Sequence, residues 1–479
     1  MKKTELLPHQ VDAVNKLKNL KVGALFMEQG TGKSLVTIEL FKLRYLKGNV
    51  DRAIWLCPCS AKDNIKQQII KHAPEYLLDR FIICGIETLS SSIRANVYLI
   101  NKVEKERCFL IVDESLLVKN PKAIRTKSVM RLSEKSTYRI ILNGTPVSRN
   151  EADLYSQFYI LDWRILGYKS YWSFEANHLE YDEYGKVRRA LNTDYLARKM
   201  EPYTFQVRKK DCLKLPPKIY EDEYVFMPDQ QLEYYDWVAD KLLFEIDEYQ
   251  PETIYRLFAA MQAVISGKYL DFTKDERGEE HFKIGEDIFK NYFDNPRLKK
   301  LLEILPNGKC IIFCNFKHEI DILMDVLGDE AVRFDGSISI KNRNKNLIKF
   351  QKEKKYLVAN RACAGYSLNL QFCKSIIYYS NNWNLATRLQ SEDRVHRLGQ
   401  QDTVSITDII ANGTLDVRIF DSIKRKENLM ENIKEEIQKA SNITDKVSEF
   451  LYVGRYKKRI NIMDVDDLKE EEDAKNIYR

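Results

Sequence analysis

Val22-Gly23-Ala24-Leu25-Phe26-Met27-Glu28-Gln29-Gly30-Thr31-Gly32-Lys33-Ser34 is the stretch on which the fold turns. Its first six residues are an apolar run of strand length. A glycine-bearing turn follows, and then a segment, Leu35–Leu46, whose apolar positions recur at helical spacing. Strand, turn and helix in that order bring backbone N–H groups close to phosphate oxygens, and the helix N-terminus adds a favourable dipole. Lys33 can reach the β- and γ-phosphates, and Ser34 offers a hydroxyl to Mg²⁺. Met27 stands where the strict Walker pattern has glycine, so the reading rests on the Gly30–Ser34 core and its strand–helix setting. The bland alternative is a turn that only caps a helix.

Working outward, similar apolar runs recur at Ala53–Cys57, Phe81–Cys84, Phe109–Val112 and Arg139–Leu142, separated by helical patterns such as Ala61–Ile70. Alternating strand and helix signals imply a parallel sheet covered on both faces. The pattern returns at Cys310–Cys314, Tyr356–Ala359, Ile376–Tyr379 and Val404–Ile410. The fold expected is therefore α/β, with two parallel-sheet lobes at 1–165 and 295–425. Between them, 166–294 is rich in Tyr, Phe, Trp and charge, with long helical patterns such as Gln230–Ile246, and reads as a mainly helical insertion. Asp271–Asp287 reads as an exposed loop or small hairpin. Residues 426–479 read as a helical extension ending in the acidic stretch Asp464–Lys475.

Composition bounds the function. The 479 residues fit about three domains at roughly 150 each. Hydrophobic residues are 44% and charged residues 31%, a globular profile, and 77 Lys+Arg against 70 Asp+Glu leave a net +7 that permits nucleic acid without demanding it. No uncharged apolar stretch approaches the ~18 residues of a membrane span, and none near the start makes a secretory signal, so no membrane is expected. The nine Cys are scattered, several inside apolar runs, without a CxxC pair and with only six His. They read as buried thiols of a reducing compartment, and no zinc is expected.

Two further motifs carry chemistry. Phe109–Val112 ends in Asp113-Glu114, which places two carboxylates at the C-terminal sheet edge beside the phosphate turn. Asp113 would hold Mg²⁺ through water and Glu114 would orient the attacking water. Far along the chain, Gln390-Ser391-Glu392-Asp393-Arg394-Val395-His396-Arg397 carries two arginines three apart, on one helix face. A positioned arginine stabilises the charge of a phosphoryl-transfer transition state; alone, this segment would read as a solvated helix.

The chain resembles the superfamily 2 helicase-like ATPases, and within them the Swi/Snf-type DNA translocases, from about residue 5 to about residue 430. Leu7-Pro8-His9-Gln10 looks like the opening adenine-side motif and Glu28–Ser34 like motif I. Trp55–Ile69 resembles motif Ia. Asp113-Glu114-Ser115-Leu116…Lys119-Asn120 stands where the family has Asp-Glu-Ala-His…Lys-Asn. Leu142–Val147 resembles motif III. Val207–Asp211 followed by Leu215-Pro216-Pro217-Lys218 is close to a segment particular to the Swi/Snf group. Cys310–Leu323, Asp335…Phe350, Asn360–Leu370 and Trp383–Gln400 resemble the later blocks in order.

The resemblance implies two tandem RecA-like lobes, with ATP bound between them on Gln10, Glu28, Gln29, Gly30, Thr31, Gly32, Lys33 and Ser34. Ser34 and Asp113 would be the metal residues; Lys33, Glu114, Gln390, Arg394 and Arg397 the catalytic ones. ATP and Mg²⁺ are the implied cofactors and double-stranded DNA the implied partner, gripped largely through its backbone, with Thr145, Arg208, Lys209 and Trp383 as candidate contacts. Further basic clusters are Arg188-Arg189, Lys424-Arg425-Lys426 and Arg455…Arg459; a solvated face is the alternative for each, and core packing for Trp383. Ser115 and Leu116 replace Ala-His in motif II, and Ala364 and Ser367 replace glycines in motif V, positions that couple hydrolysis to movement. The expected activity is an ATP-dependent duplex DNA translocase that does not fully separate strands. The alternatives are a strand-separating DNA or RNA helicase, and a DNA-binding scaffold with a decayed motor. The shortness suggests a compact bacterial, viral or repair-type member, and the expected location is the cytoplasm, or the nucleus in a eukaryote.

Overall fold

The computed structural model of the protein describes residues 5–144, 151–181, 187–244, 251–274, 280–360 and 370–425, with Val447 and Leu451. The chain divides into two compact units. The first is Met1–Leu215 joined by Tyr366–Asn369 and His396–Gln400. The second is Pro216–Gly365, Leu370–Val395 and Gln401–Arg479.

The first unit is built on β1 (Val22–Met27), β2 (Arg52–Cys57), β3 (Phe81–Gly85), β4 (Cys108–Asp113), β5 (Tyr138–Asn143) and, after a small antiparallel pair β6 (Leu179–Tyr181) and β7 (Val187–Ala190), β8 (Thr204–Val207). The sheet order is β3-β2-β4-β5-β1-β8, and every pairing is parallel. β1 is buried at all six positions. Ala24 and Phe26 enter one core with Val112 and Phe158, whereas Leu25 and Met27 enter the opposite one with Phe41, Trp55 and Ile111. Burial on both faces is why the strand reads as an unbroken apolar run rather than an alternation. Helix α1 (Pro8–Leu17) and helix α2 (Lys33–Leu46) cover the second face. Arg44 of α2 is sandwiched between the rings of Phe109 and Tyr138, at 4.5 and 4.6 Å, and donates to the carbonyls of Leu17 and Leu20. Burial lowers its guanidinium to about 10.

The second unit repeats the plan with β9 (Lys218–Val225), an antiparallel hairpin β10 (Lys268–Lys274) and β11 (Glu280–Asp287), then β12 (Cys310–Cys314), β13 (Ala331–Phe334), β14 (Tyr356–Asn360), β15 (Ser375–Tyr378) and β16 (Val404–Ala411). The order is β13-β14-β12-β15-β16-β9, again all parallel. Cys310, Ile312 and Cys314 share one core with Phe258, Met261 and Val264 of the helix Pro251–Ile265 and with Val447 and Leu451.

The two expected parallel-sheet lobes are thus present. The segment 166–294 does more than supply helices. Its residues up to Leu215 pack with the first unit and those from Pro216 with the second. It also completes each sheet, with β8 at one edge and β9 at the other. The stretch expected as a loop or hairpin is the hairpin β10–β11. The rest of the C-terminal extension, with its acidic stretch, lies outside the described residues. Among the described residues no helix is long and apolar enough to cross a membrane.

Candidate functional site

The turn after β1 is shaped by two glycines with left-handed backbone, Gly30 (φ 84°) and Gly32 (φ 95°). Gly32 caps α2, and a Cβ there would stand 2.1 Å from Gln10 Nε2, so conformation and space both exclude a side chain. Gln10 is buried and braces the turn from below. Its Oε1 accepts from the Leu7 N–H at 3.0 Å, and its Nε2 donates to the Thr31 carbonyl at 2.9 Å. A His9 ring nitrogen lies 2.8 Å from the same carbonyl, and the Thr31 hydroxyl donates back to the Glu28 carbonyl at 2.7 Å. The expected nucleotide residue Gln10 is therefore at the turn, with its amide engaged by the turn itself. Lys33 folds back so that Nζ donates to the Met27 carbonyl at 2.6 Å, and Ser34 sits half-buried in the first turn of α2.

β4 brings Asp113 and Glu114 to the same sheet edge, with β5 lying between β4 and β1. Asp113 Oδ1 accepts from the Glu114 N–H at 3.1 Å, and its Oδ2 lies 3.4 Å from the indole nitrogen of the fully buried Trp55. Asp113 keeps some exposed surface of its own, yet desolvation, and then the charge of Glu114, raise its carboxyl to about 6 against the field of Lys33. Glu114 has φ 53°, a left-handed conformation that costs a residue with a side chain on the order of 1–3 kcal/mol and is concentrated at functional sites. Gln29 Nε2 lies 3.5 Å from Glu114 Oε1, and Gln29 Oε1 is buried without a hydrogen-bond partner. The substituted Ser115 is buried and donates to Gln157 Oε1 of the helix Ala152–Asp162 at 2.6 Å. Lys119 forms an ion pair with Asp153 of that helix at 3.2 Å.

Asp113 and Glu114 are adjacent carboxylates, and desolvation with their mutual repulsion outweighs the field of Lys33 at Asp113. They fit a divalent cation, which relieves this repulsion. Among the described residues no group of three or more His, Cys, Asp or Glu is placed to hold a metal by itself.

From the far end of the chain, His396–Gln400 packs with the first unit. Arg397 stands against the turn: a Cβ on Gly30 would lie 2.9 Å from Arg397 Cβ. The turn, Asp113, Glu114 and Arg397 are thus in one unit. Gln390 and Arg394 lie on the helix Leu385–Val395 of the second unit, Gln390 half-buried and Arg394 buried. That helix is anchored by Arg388. Its Nη1 and Nη2 donate to the two carboxylate oxygens of Asp408 at 2.5 and 2.8 Å, and its Nε donates to Glu392 at 2.8 Å. Its guanidinium also lies 3.4 Å from the centroid of Tyr378. Against the desolvation of burial, Asp408 first among its neighbours holds the Arg388 pKa above its ordinary value.

Of the candidate DNA contacts, Arg208 is exposed and pairs with Asp211 at 3.1 Å. Lys209 departs from the expectation of a surface cation. It is buried, and its Nζ donates to the His396 carbonyl at 2.8 Å, because the chain turns inward after β8. Trp383 is half-buried and packs edge-on against Phe258, ring centres 6.2 Å apart, so core packing accounts for it. Arg188 and Arg189 are exposed around Glu180. Thr145, Ala364, Ser367, Lys426 and Arg455–Arg459 lie outside the described residues. Sequence reasoning missed Trp55, Arg388 and the inward role of Lys209. An arginine and a glutamate at helical spacing, Arg388 and Glu392, read as a solvated pair unless the strand partner Asp408 is known.

Residues 64–265 match the SNF2-related domain, and residues 295–399 match the helicase conserved C-terminal domain. An uncharacterized ATP-dependent helicase of Mycoplasma pneumoniae is 26% identical over 458 residues, covering 89% of this chain and 42% of that protein. The TATA-binding protein-associated factor MOT1 of Saccharomyces cerevisiae is 25% identical over 519 residues, covering 90% of this chain and 27% of that protein. The ISWI chromatin-remodeling complex ATPase ISW2 of the same yeast is 24% identical over 465 residues, covering 89% of this chain and 40% of that protein. The chain therefore spans less than half the length of these curated relatives. The solved structure of the Sulfolobus solfataricus SWI2/SNF2 ATPase core in complex with dsDNA aligns at 24% identity with a TM-score of 0.41, covering 90% of this chain and 93% of that one.

Proposed function

We propose that this chain, which belongs to the Swi/Snf-type helicase-like ATPases by its SNF2-related and helicase conserved C-terminal domains, spends ATP on movement along double-stranded DNA. That it is an ATPase follows from the family. The coupling to duplex DNA is our reading. The observation that carries it is the phosphate turn of the first unit, with Lys33, Asp113 and Glu114 at one sheet edge and Arg397 packed on Gly30, in a chain that retains the segments particular to the Swi/Snf group. The MOT1 and ISW2 relatives are named for a TATA-binding protein-associated factor and a chromatin-remodeling ATPase, which favours work on protein-bound duplex over strand separation.

The chemistry follows from the residues. Backbone N–H groups of Gly30–Gly32 and the N-terminus of α2 receive the phosphates. Lys33 leaves the Met27 carbonyl for the phosphate oxygens. Glu114 orients the attacking water, and Arg397 balances charge on the γ-phosphoryl as it transfers. Mg²⁺ would be held by Ser34 and Asp113, and when bound it neutralises phosphate charge.

The test is ATP turnover with no nucleic acid, duplex DNA, single-stranded DNA and RNA, with Lys33→Ala as the control for contaminating activity. Stimulation by duplex and displacement of a triplex-forming strand without unwinding of a forked duplex are expected. Unwinding of the fork would replace this reading with a strand-separating helicase. Equal turnover under all conditions, or stimulation by RNA only, would reject both DNA readings. A decayed motor would show DNA binding without turnover.

A further inference from the structure

We infer that Lys209 is a positioning residue, which grips the peptide that carries Arg397 and seats it on the phosphate turn. Lys209 opens the short helix Lys209–Cys212 just after β8 and is only 9% exposed. A buried ammonium is costly unless hydrogen-bonded. Here it donates to the carbonyl of His396, the residue immediately before Arg397, at 2.8 Å. The same residue's backbone N–H donates to Glu28 Oε2 of the turn at 2.7 Å. Its side chain passes Gly30, where an added Cβ would find Lys209 Cε at 3.6 Å and Arg397 Cβ and Cα at 2.9 and 3.4 Å. One lysine thus touches both ends of the arrangement: the carboxylate that begins the turn and the peptide that carries the arginine. Glycine at position 30 leaves the space in which the two backbones meet.

The consequence is preorganisation. An arginine whose backbone is already fixed loses less freedom when it engages the transferring phosphoryl group. A phosphate contact to DNA, the other role for this lysine, requires an exposed ammonium, and this one faces inward. The inference rests on the reading of Arg397 given above.

The test uses the full chain as wild type, Lys209→Met, Lys209→Gln, Arg397→Ala and the Lys209→Met/Arg397→Ala double variant. Hydrogen exchange of the amides in His396–Gln400, without nucleotide, reads the grip itself. Exchange there is expected to speed by about 10-fold in Lys209→Met and by much less in Lys209→Gln, which keeps a donor. The kcat for ATP is expected to fall by about 10-fold in Lys209→Met with KM nearly constant, and the loss should vanish in the Arg397→Ala background. The salt slope of DNA binding should not change. Unaltered exchange, a kcat loss that persists without Arg397, or a salt slope reduced by about one contact overturns the inference. If Arg397→Ala alone turns over normally, the reading of Arg397 is what fails, and the seating has no catalytic consequence. Should Lys209→Met not fold, Lys209→Ala, which likewise removes the donor to the His396 carbonyl, carries the same comparison against Arg397→Ala.

Discussion

The phosphate end of the first unit and the Arg388 cluster of the second are both polar constellations at parallel sheets, and they are finished to different degrees. Around Arg388 the charges close. Arg388 and Lys218 face Asp408 and Glu392, with Asn381 and Tyr220 taking up remaining hydrogen bonds. Despite burial, Arg388 and Lys218 keep the Glu392 carboxyl below its usual range. At the phosphate end the charges do not close. Asp113 is forced up to about 6, Glu114 sits in a strained backbone, and Gln29 has a buried orphan oxygen. A complete network specifies structure; one left short of cation marks where a ligand completes it.

Substitutions can break this contrast. The largest effect is expected for Arg388→Met, which strands the buried Asp408 without its cation, while Glu392 keeps Lys218, and should cost about 3–5 kcal/mol in denaturant unfolding of the second unit. A loss below 1 kcal/mol would show that the cluster is not structural. Next, Glu114→Gln should lower kcat by at least about 100-fold, near 2.7 kcal/mol at the transition state, while ATP binding and melting temperature hold. Parallel loss of binding would remove Glu114 from the water-orienting role. Smaller and opposite in sign, Asp113→Asn should stabilise the nucleotide-free fold by on the order of 2 kcal/mol above pH 6 while abolishing turnover. Because the folded carboxyl titrates above its unfolded value of 3.8, its protonated form favours folding below that pH, and this contribution is lost as pH rises through about 6. The gain of the variant should therefore fade in acid, and thermal melts from pH 4 to 8 read it directly. Smallest, Ser115→Ala removes the donor to Gln157 and should cost about 1 kcal/mol. A larger loss in DNA-stimulated than in basal turnover would sharpen the coupling role of that position.

How much of this was legible in the sequence depends on whether burial alone dictates the residue type. Val22–Met27 and Cys310–Cys314 are central and buried on both faces, so their apolar runs coincide with the strands. β9 was invisible because an edge strand needs only one partner, and Lys218–Val225 is accordingly full of Glu, Asp and Tyr. Short β13 hid behind Arg333, which is paired with Asp321 and Asp335. At the site, Lys33, Asp113 and Glu114 were readable because local order along the chain fixes their chemistry. Trp55 and Lys209 were not, since each acts through a partner far away in sequence that only the fold supplies.

The sixth strand of each sheet comes from the connecting stretch, β8 from Thr204–Val207 and β9 from Lys218–Val225, with only Arg208–Pro217 separating them. A cut between the halves belongs after Leu215, which keeps the buried Lys209 with the first unit, although that half then lacks His396–Gln400. A fragment stopped at residue 165 would strip β1 of a neighbour and leave the strand that feeds the phosphate turn as a bare sticky margin, prone to self-association.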